Sequence, residues 1–130
     1  MLEEFTTCLS CIDGRVHLPV INWITGCYSV KYVDLITYPG MIKKIIADEH
    51  IQEDIFSNIT TSIQKHCSSS IFIVAHNDCA GNPVDERTQI EQISIAVEKI
   101  SKLFPGINVT GLWVNEQLQV MECHSSYLTG

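Results

Sequence analysis

Basic residues are scarce in this chain. Only 8 Lys and Arg stand against 15 Asp and Glu in 130 residues, a formal net charge of −7. Binding to nucleic acid or to an anionic membrane surface rests on clustered Lys and Arg. The densest cluster here is Lys43-Lys44, which reads as a solvated helix face, so neither partner is expected. Long apolar runs are missing too. The longest, Ile71-Phe72-Ile73-Val74-Ala75, falls far short of the roughly 20 residues of a membrane-spanning helix. The start, Met1-Leu2-Glu3-Glu4, has neither the basic residues nor the apolar core of a secretory signal. A soluble, cytoplasmic protein is therefore expected. No repeat, low-complexity tract or linker divides the sequence. With 45% hydrophobic residues, it predicts a single domain over residues 1–130 with a core of its own.

Cysteine, by contrast, is plentiful: Cys8, Cys11, Cys27, Cys67, Cys79 and Cys123. In a secreted chain six cysteines would suggest a disulfide framework. Without a secretory signal, and with a core large enough to need no staples, they read as reduced thiols. Asn58-Ile59-Thr60 and Asn108-Val109-Thr110 match the glycosylation pattern, which carries no meaning inside a cell.

The chain alternates strand and helix signals. Phe5–Ser10 is a β-prone run. Pro19 suits the first turn of a helix continued by Val20, Ile21, Ile24 and Cys27. Tyr32–Thr37 reads as a second strand stopped by Tyr38-Pro39-Gly40, and Met41–Ala47 as a helix. From His50 to Cys67, Ile51, Ile55, Ile59 and Ile63 recur every fourth position, one face of an amphipathic helix. Ile71–Ala75 is the β-branched kind of run that a parallel sheet buries on both faces. Thr88-Gln89-Ile90-Glu91 fits a capping box, and Ile90, Ile93, Val97, Ile100 and Phe104 carry that helix to about Pro105. Ile107–Val114 is a fourth strand. Asn115-Glu116 turns the chain into a fifth, Gln117–Cys123. This order predicts an α/β fold: a doubly wound, mostly parallel β-sheet with helices on both faces and a C-terminal β-hairpin.

Two short blocks sit at predicted strand ends, where open parallel sheets gather ligands. Cys11-Ile12-Asp13-Gly14-Arg15 follows the first strand, and His76-Asn77-Asp78-Cys79 follows the third. Those two strands should be neighbours at the point where the strand order reverses. Cys11, His76 and Cys79 would give Zn2+ three ligands and leave its fourth position open. Catalytic zinc keeps that position for water, which loses a proton near neutral pH. Asp13 and Arg15 would form a carboxylate–guanidinium pair beside it. Taken singly, each of the three is better read as a core side chain; together they favour a metal. A Cys8–Cys11 redox pair is a poor rival, because such thiols sit at helix starts and Cys8 lies inside the strand. Cys8, Cys27 and Cys67 read as core, and Cys123-His124 as a tail pair. A nucleotide-binding domain is set aside, since no glycine-rich phosphate loop follows the first strand.

Cys-x-Asp-x-Arg followed by His-x-x-Cys resembles the zinc signature of the β-class carbonic anhydrases. The similarity covers roughly residues 5–115, nearest to the short members of that kind. The resemblance implies Cys11, His76 and Cys79 as zinc ligands, Asp13 and Arg15 as the catalytic dyad, and a homodimer or higher homo-oligomer. It also implies reversible hydration of CO2 to bicarbonate. Departures are visible. Family enzymes commonly carry a long helical N-terminal arm, whereas this sequence begins almost at its expected first strand. Thr37-Tyr38-Pro39-Gly40 stands near the place where the family has Arg-Asn-Ala-Gly, and no equivalent is evident for a glutamine that helps hold bicarbonate.

Two other functions fit the same residues. One is hydrolysis of a CO2-like molecule, carbonyl sulfide or carbon disulfide. The other is a non-catalytic zinc protein in which Asp13, freed from Arg15, closes the metal site. His17 is a candidate proton shuttle on its ordinary pKa near 6.5, or simply an exposed histidine near a helix start. Asp78 is expected to cap the turn after His76 or to support a ligand. Tyr38 lines the pocket or serves the turn.

Overall fold

Five strands form one sheet in the order β2-β1-β3-β4-β5. The computed structural model describes residues 4–126. Residues 1–3, most of the Met1-Leu2-Glu3-Glu4 start, and residues 127–130 lie outside that range. The elements are β1 (Phe5–Ser10), α1 (Gly14–Cys27), β2 (Tyr32–Thr37), α2 (Met41–Ala47), α3 (Glu53–His66), β3 (Ser70–His76), α4 (Glu86–Leu103), β4 (Asn108–Val114) and β5 (Val120–Ser125). β1 pairs in parallel with β2 and β3, and β3 in parallel with β4. β5 returns antiparallel to β4. The expected doubly wound, mostly parallel sheet with its C-terminal hairpin is thus the observed one.

The winding explains where the helices lie. The chain runs from β1 outward to β2, then crosses back past β1 to β3 and on to β4. Right-handed crossovers place helices on opposite faces when that direction reverses. α1 accordingly packs alone on one face, where Val16, Val20 and Ile24 meet Cys8, Phe72, Val74, Leu112 and Val114. α2, α3 and α4 cover the other face. There Met41, Ile45, Ile59, Ile93, Val97 and Ile100 meet Leu9, Ile71, Ile73, Ala75 and Trp113. β3 serves both faces through its alternating side chains, which is why its sequence is an unbroken apolar run.

Several local expectations are corrected. α1 begins at Gly14 with Asp13 as its N-cap, so Pro19 stands inside the helix rather than in its first turn. The capping box read at Thr88 is displaced. Asp85 is the N-cap, its carboxylate accepting from the Thr88 N–H at 2.9 Å. α3 starts at Glu53, after Gln52, so Ile51 precedes it. β5 starts at Val120 because residues 115–119 are used by the turn. Asn115 Oδ1 accepts from the Gln117 and Gln119 N–H groups at 2.9 Å each, and Leu118 adopts φ 61°. Cys8 is fully buried, but Cys27 and Cys67 are exposed rather than core. Both sit where a helix ends, with Cys67 in the left-handed region at φ 59°. Cys123 lies half-buried in β5 rather than in a tail. Among the described residues, no helix is long and apolar enough to cross a membrane.

Candidate metal centre

The register Leu9↔Ile73 sets β1 and β3 side by side, so the residues leaving their C-terminal ends converge. Cys11 follows β1, His76 is the last residue of β3, and Cys79 lies in the loop beyond. Their ligand atoms all lie within 4.8 Å of one another. All three side chains are buried. The two sulfurs are 3.7 Å apart; sulfurs bound at about 2.3 Å in a tetrahedron stand about 3.8 Å apart.

His76 is oriented by its own loop. Nδ1 lies 2.8 Å from the Asn77 carbonyl oxygen. A carbonyl only accepts, so Nδ1 carries the proton and Nε2 presents its lone pair. That Nε2 is buried and has no hydrogen-bond partner. A buried acceptor left without a partner costs about 1–3 kcal/mol, which coordination by a metal ion would offset. The donor set, two thiols and one imidazole, suits a divalent ion such as zinc.

Each sulfur has backbone neighbours. The Gly40 N–H points at Cys11 Sγ at 3.5 Å. Burial pushes the Cys79 thiol up and the neighbouring Cys11 adds to that, while the Gly81 and Asn82 N–H groups hydrogen-bond its sulfur and pull the other way. Between the ligands and α2 lies a cavity of about 10 Å³ whose walls include Met41, Ile42, Val74 and Ala75. It is narrow and mainly apolar.

Asp13 and Arg15 follow Cys11 at the start of α1. Arg15 Nη2 donates to Asp13 Oδ2 at 2.6 Å, Nε lies 3.1 and 3.2 Å from the two carboxylate oxygens, and the Arg15 N–H donates to Oδ1 at 2.9 Å. Hydrogen bonds from the guanidinium hold the Asp13 carboxyl well below the usual carboxylate range. Arg15 also reaches the second ligand loop, donating to the Asp78 carbonyl at 3.1 Å and approaching its carboxylate at 3.5 Å. Asp78, expected to cap a turn or support a ligand, holds this arginine instead.

The other candidates take lesser places. His17 Nε2 sits 3.1 Å from the Cys11 carbonyl, where that nitrogen donates its proton rather than facing solvent. Tyr38 packs against the core beside β2, with the Lys44 ammonium 5.3 Å from its ring centroid. Sequence reasoning missed Gln89. It is buried on α4 and its Nε2 donates to the His76 carbonyl at 2.9 Å. A signal was present, since Gln89 falls on the stripe of Ile93, Val97 and Ile100, where an apolar residue is otherwise expected.

An open α/β sheet gathers ligands at its reversal point, and here that point carries a buried thiol–imidazole cluster that could hold a metal ion. The sequence matches, over residues 1–124, the family described as "Putative carbonic anhydrase", and the chain belongs to that family. Solved structures share the fold. The β-carbonic anhydrase isoform I of Trichomonas vaginalis superposes with a TM-score of 0.68 at 16% identity, over 93% of this chain and 83% of that one. A tetrameric β-carbonic anhydrase of Sordaria macrospora gives 0.64 at 9% identity, over 97% and 84%. The carbonic anhydrase of Streptococcus mutans gives 0.59 at 16% identity, over 91% and 81%. Among curated proteins, none matches this chain.

Proposed function

We propose that this chain is a zinc enzyme that reversibly hydrates CO2 to bicarbonate. Cys11, His76 and Cys79 would be the metal ligands, and Asp13 with Arg15 the catalytic pair. The single observation that carries the reading is the buried, unpartnered His76 Nε2 facing two sulfurs 3.7 Å apart. Zinc held there would act as a Lewis acid and make water nucleophilic near neutral pH.

The protein's own groups divide the remaining work. The carboxylate of Asp13, held ionised by Arg15, can accept a hydrogen bond from the attacking water and fix its orientation. The bonds from Arg15 would compete with coordination of a metal by that carboxylate. The apolar walls at Met41, Ile42, Val74 and Ala75 enclose about 10 Å³, room for about one water, and would limit bulk water beside the cluster. The proposed substrate is itself small, linear and uncharged. Carbonyl sulfide and carbon disulfide share that shape, so their hydrolysis is the second reading. Closure of the site by Asp13 has less support, because its carboxylate is engaged by Arg15 and is not among the clustered ligand atoms.

Residues 1–130 are read as one zinc domain. A homo-oligomer is proposed by analogy with the tetrameric Sordaria macrospora enzyme. Cytoplasmic residence suits six free cysteines.

Metal analysis of purified protein, with stopped-flow CO2 hydration across about pH 6.5–9, tests the proposal. Stoichiometric zinc with turnover that rises with pH is expected. Zinc without turnover at any pH would leave only the non-catalytic role, and turnover with carbonyl sulfide or carbon disulfide alone would favour the second reading.

A further inference from the structure

The segment 77–85 between β3 and α4 carries Cys79 and has no regular structure. Two amide side chains of α4 grip it. Gln89 Nε2 donates to the His76 carbonyl at 2.9 Å and to the Val84 carbonyl at 3.4 Å. One NH2 group thus ties the two ends of the segment together. One turn further along α4, Gln92 Oε1 accepts from Asn82 Nδ2 at 2.8 Å.

The placement of Gln89 is informative. Its side chain is only 2% exposed, on the face of α4 that otherwise carries Ile93, Ala96, Val97 and Ile100. An amide buried there forgoes apolar contact and demands hydrogen-bond partners. One acceptor is the carbonyl of His76 itself, and the other, Val84, belongs to the segment that bears Cys79. Gln89 also lines the cavity beside Cys11, His76 and Cys79.

We propose that Gln89 is a positioning residue, a clamp that joins His76 to Val84 and so holds Cys79 in register with Cys11. It rests on the metal reading above for its purpose, but its mechanical part does not. Within the segment, the Asn82 N–H donates to the Cys79 carbonyl at 3.2 Å, and the Val84 N–H to the Asn82 carbonyl at 2.8 Å. These bonds pass the anchorage at Val84 back to Cys79. Shortening or removing the Gln89 amide frees one end of this chain of contacts.

The test uses the full chain as Gln89→Leu and Gln89→Asn, with Ser62→Ala as a control. Ser62 is a buried hydroxyl on α3, bonded to Thr7 and Asp34. Two readouts are taken: Zn2+ affinity by competition with a chromophoric chelator, and the iodoacetamide alkylation rate of Cys79 in metal-free protein by mass spectrometry. Loss of a supporting hydrogen bond typically weakens metal binding about 10–100-fold, and that loss is expected in both Gln89 variants. Alkylation of Cys79 should speed up roughly tenfold or more as the segment opens. Ser62→Ala should change neither, even where it lowers the melting temperature as much. Gln89→Asn keeps a polar amide and covers the case in which Gln89→Leu does not fold. Wild-type affinity and wild-type alkylation in Gln89→Asn would overturn the clamp. If the wild-type chain takes up no divalent metal, the metal reading fails by itself; alkylation then decides the clamp, and an unchanged rate overturns it.

Discussion

Gly40 and Gly81 lie backbone against backbone: a Cβ built on Gly81 would stand 2.5 Å from the Gly40 nitrogen. Gly40 also adopts φ 63° and N-caps α2, a conformation that L side chains resist. The contact locks the turn after β2 onto the loop that carries Cys79, with the Gly40 N–H aimed at Cys11 Sγ. Gly40→Ala should therefore destabilise by about 1–3 kcal/mol and weaken metal uptake. Gly26→Ala, in open space within α1, should instead stabilise by about 0.4–1 kcal/mol. Urea denaturation of the two variants checks the opposite signs.

Cys79→Ser and His76→Ala should each abolish stoichiometric zinc in purified protein. Neither a serine hydroxyl nor a methyl group replaces the soft ligand lost. Full metal occupancy in either variant, measured by plasma mass spectrometry, would remove that residue from the ligand set.

Asp13→Asn should keep the metal and lower CO2 hydration by about 10²–10⁴-fold, the usual contribution of a positioned acid–base group. Loss of metal in that variant would make Asp13 a ligand instead.

The Asp13–Arg15 pair fixes a sign for pH dependence. Arg15 depresses the folded pKa of Asp13. The pair's contribution to stability is thus present above the ordinary carboxylate value of about 3.9 and is lost only as pH falls through the lower folded value. Side chains this accessible are screened by solvent, so the contribution is small. Arg15→Gln should raise the Asp13 pKa toward the ordinary range, visible in a carboxyl ¹³C NMR titration.

Thiol labelling should separate the cysteines by burial. Cys27 and Cys67 are exposed and should react with a maleimide in the native protein. Burial pushes the Cys8 thiol up to about 12, so Cys8 should react only after unfolding. Peptide mapping after brief labelling reads the difference.

Much of this architecture is legible from residue order. β1, β2 and α2 fall on their expected bounds because sharp punctuation flanks them, as at Tyr38-Pro39-Gly40. The convergence of Cys11, His76 and Cys79 is legible because strand ends adjoin a reversal of winding. Helix starts are less so. Asp13 is both the N-cap of α1 and the acid paired with Arg15, and a chemical reading masked its local one. At α4 the box read at Thr88-x-x-Glu91 gave way to Asp85 three residues earlier, whose carboxylate accepts from the Thr88 N–H. Exposure of Cys27 and Cys67 depends on where each helix ends, which residue type alone does not fix. Gln89 escaped notice because its partners are main-chain carbonyls, which leave no mark in the order of side chains.

The adjacency of β1 and β3 bears on how the chain is made. Cys11 and Cys79 are 68 positions apart, and α1, β2, α2 and α3 lie between their strands. A nascent polypeptide that has emerged only as far as α3 carries Cys11 but neither His76 nor Cys79. On the zinc reading, capture of the ion waits until β3 has slotted beside β1, a contact of high sequence separation and slow closure. On that same reading, metal loading is thereby tied to completion of the sheet's centre, because a chain without β3 offers only one of the three proposed ligands.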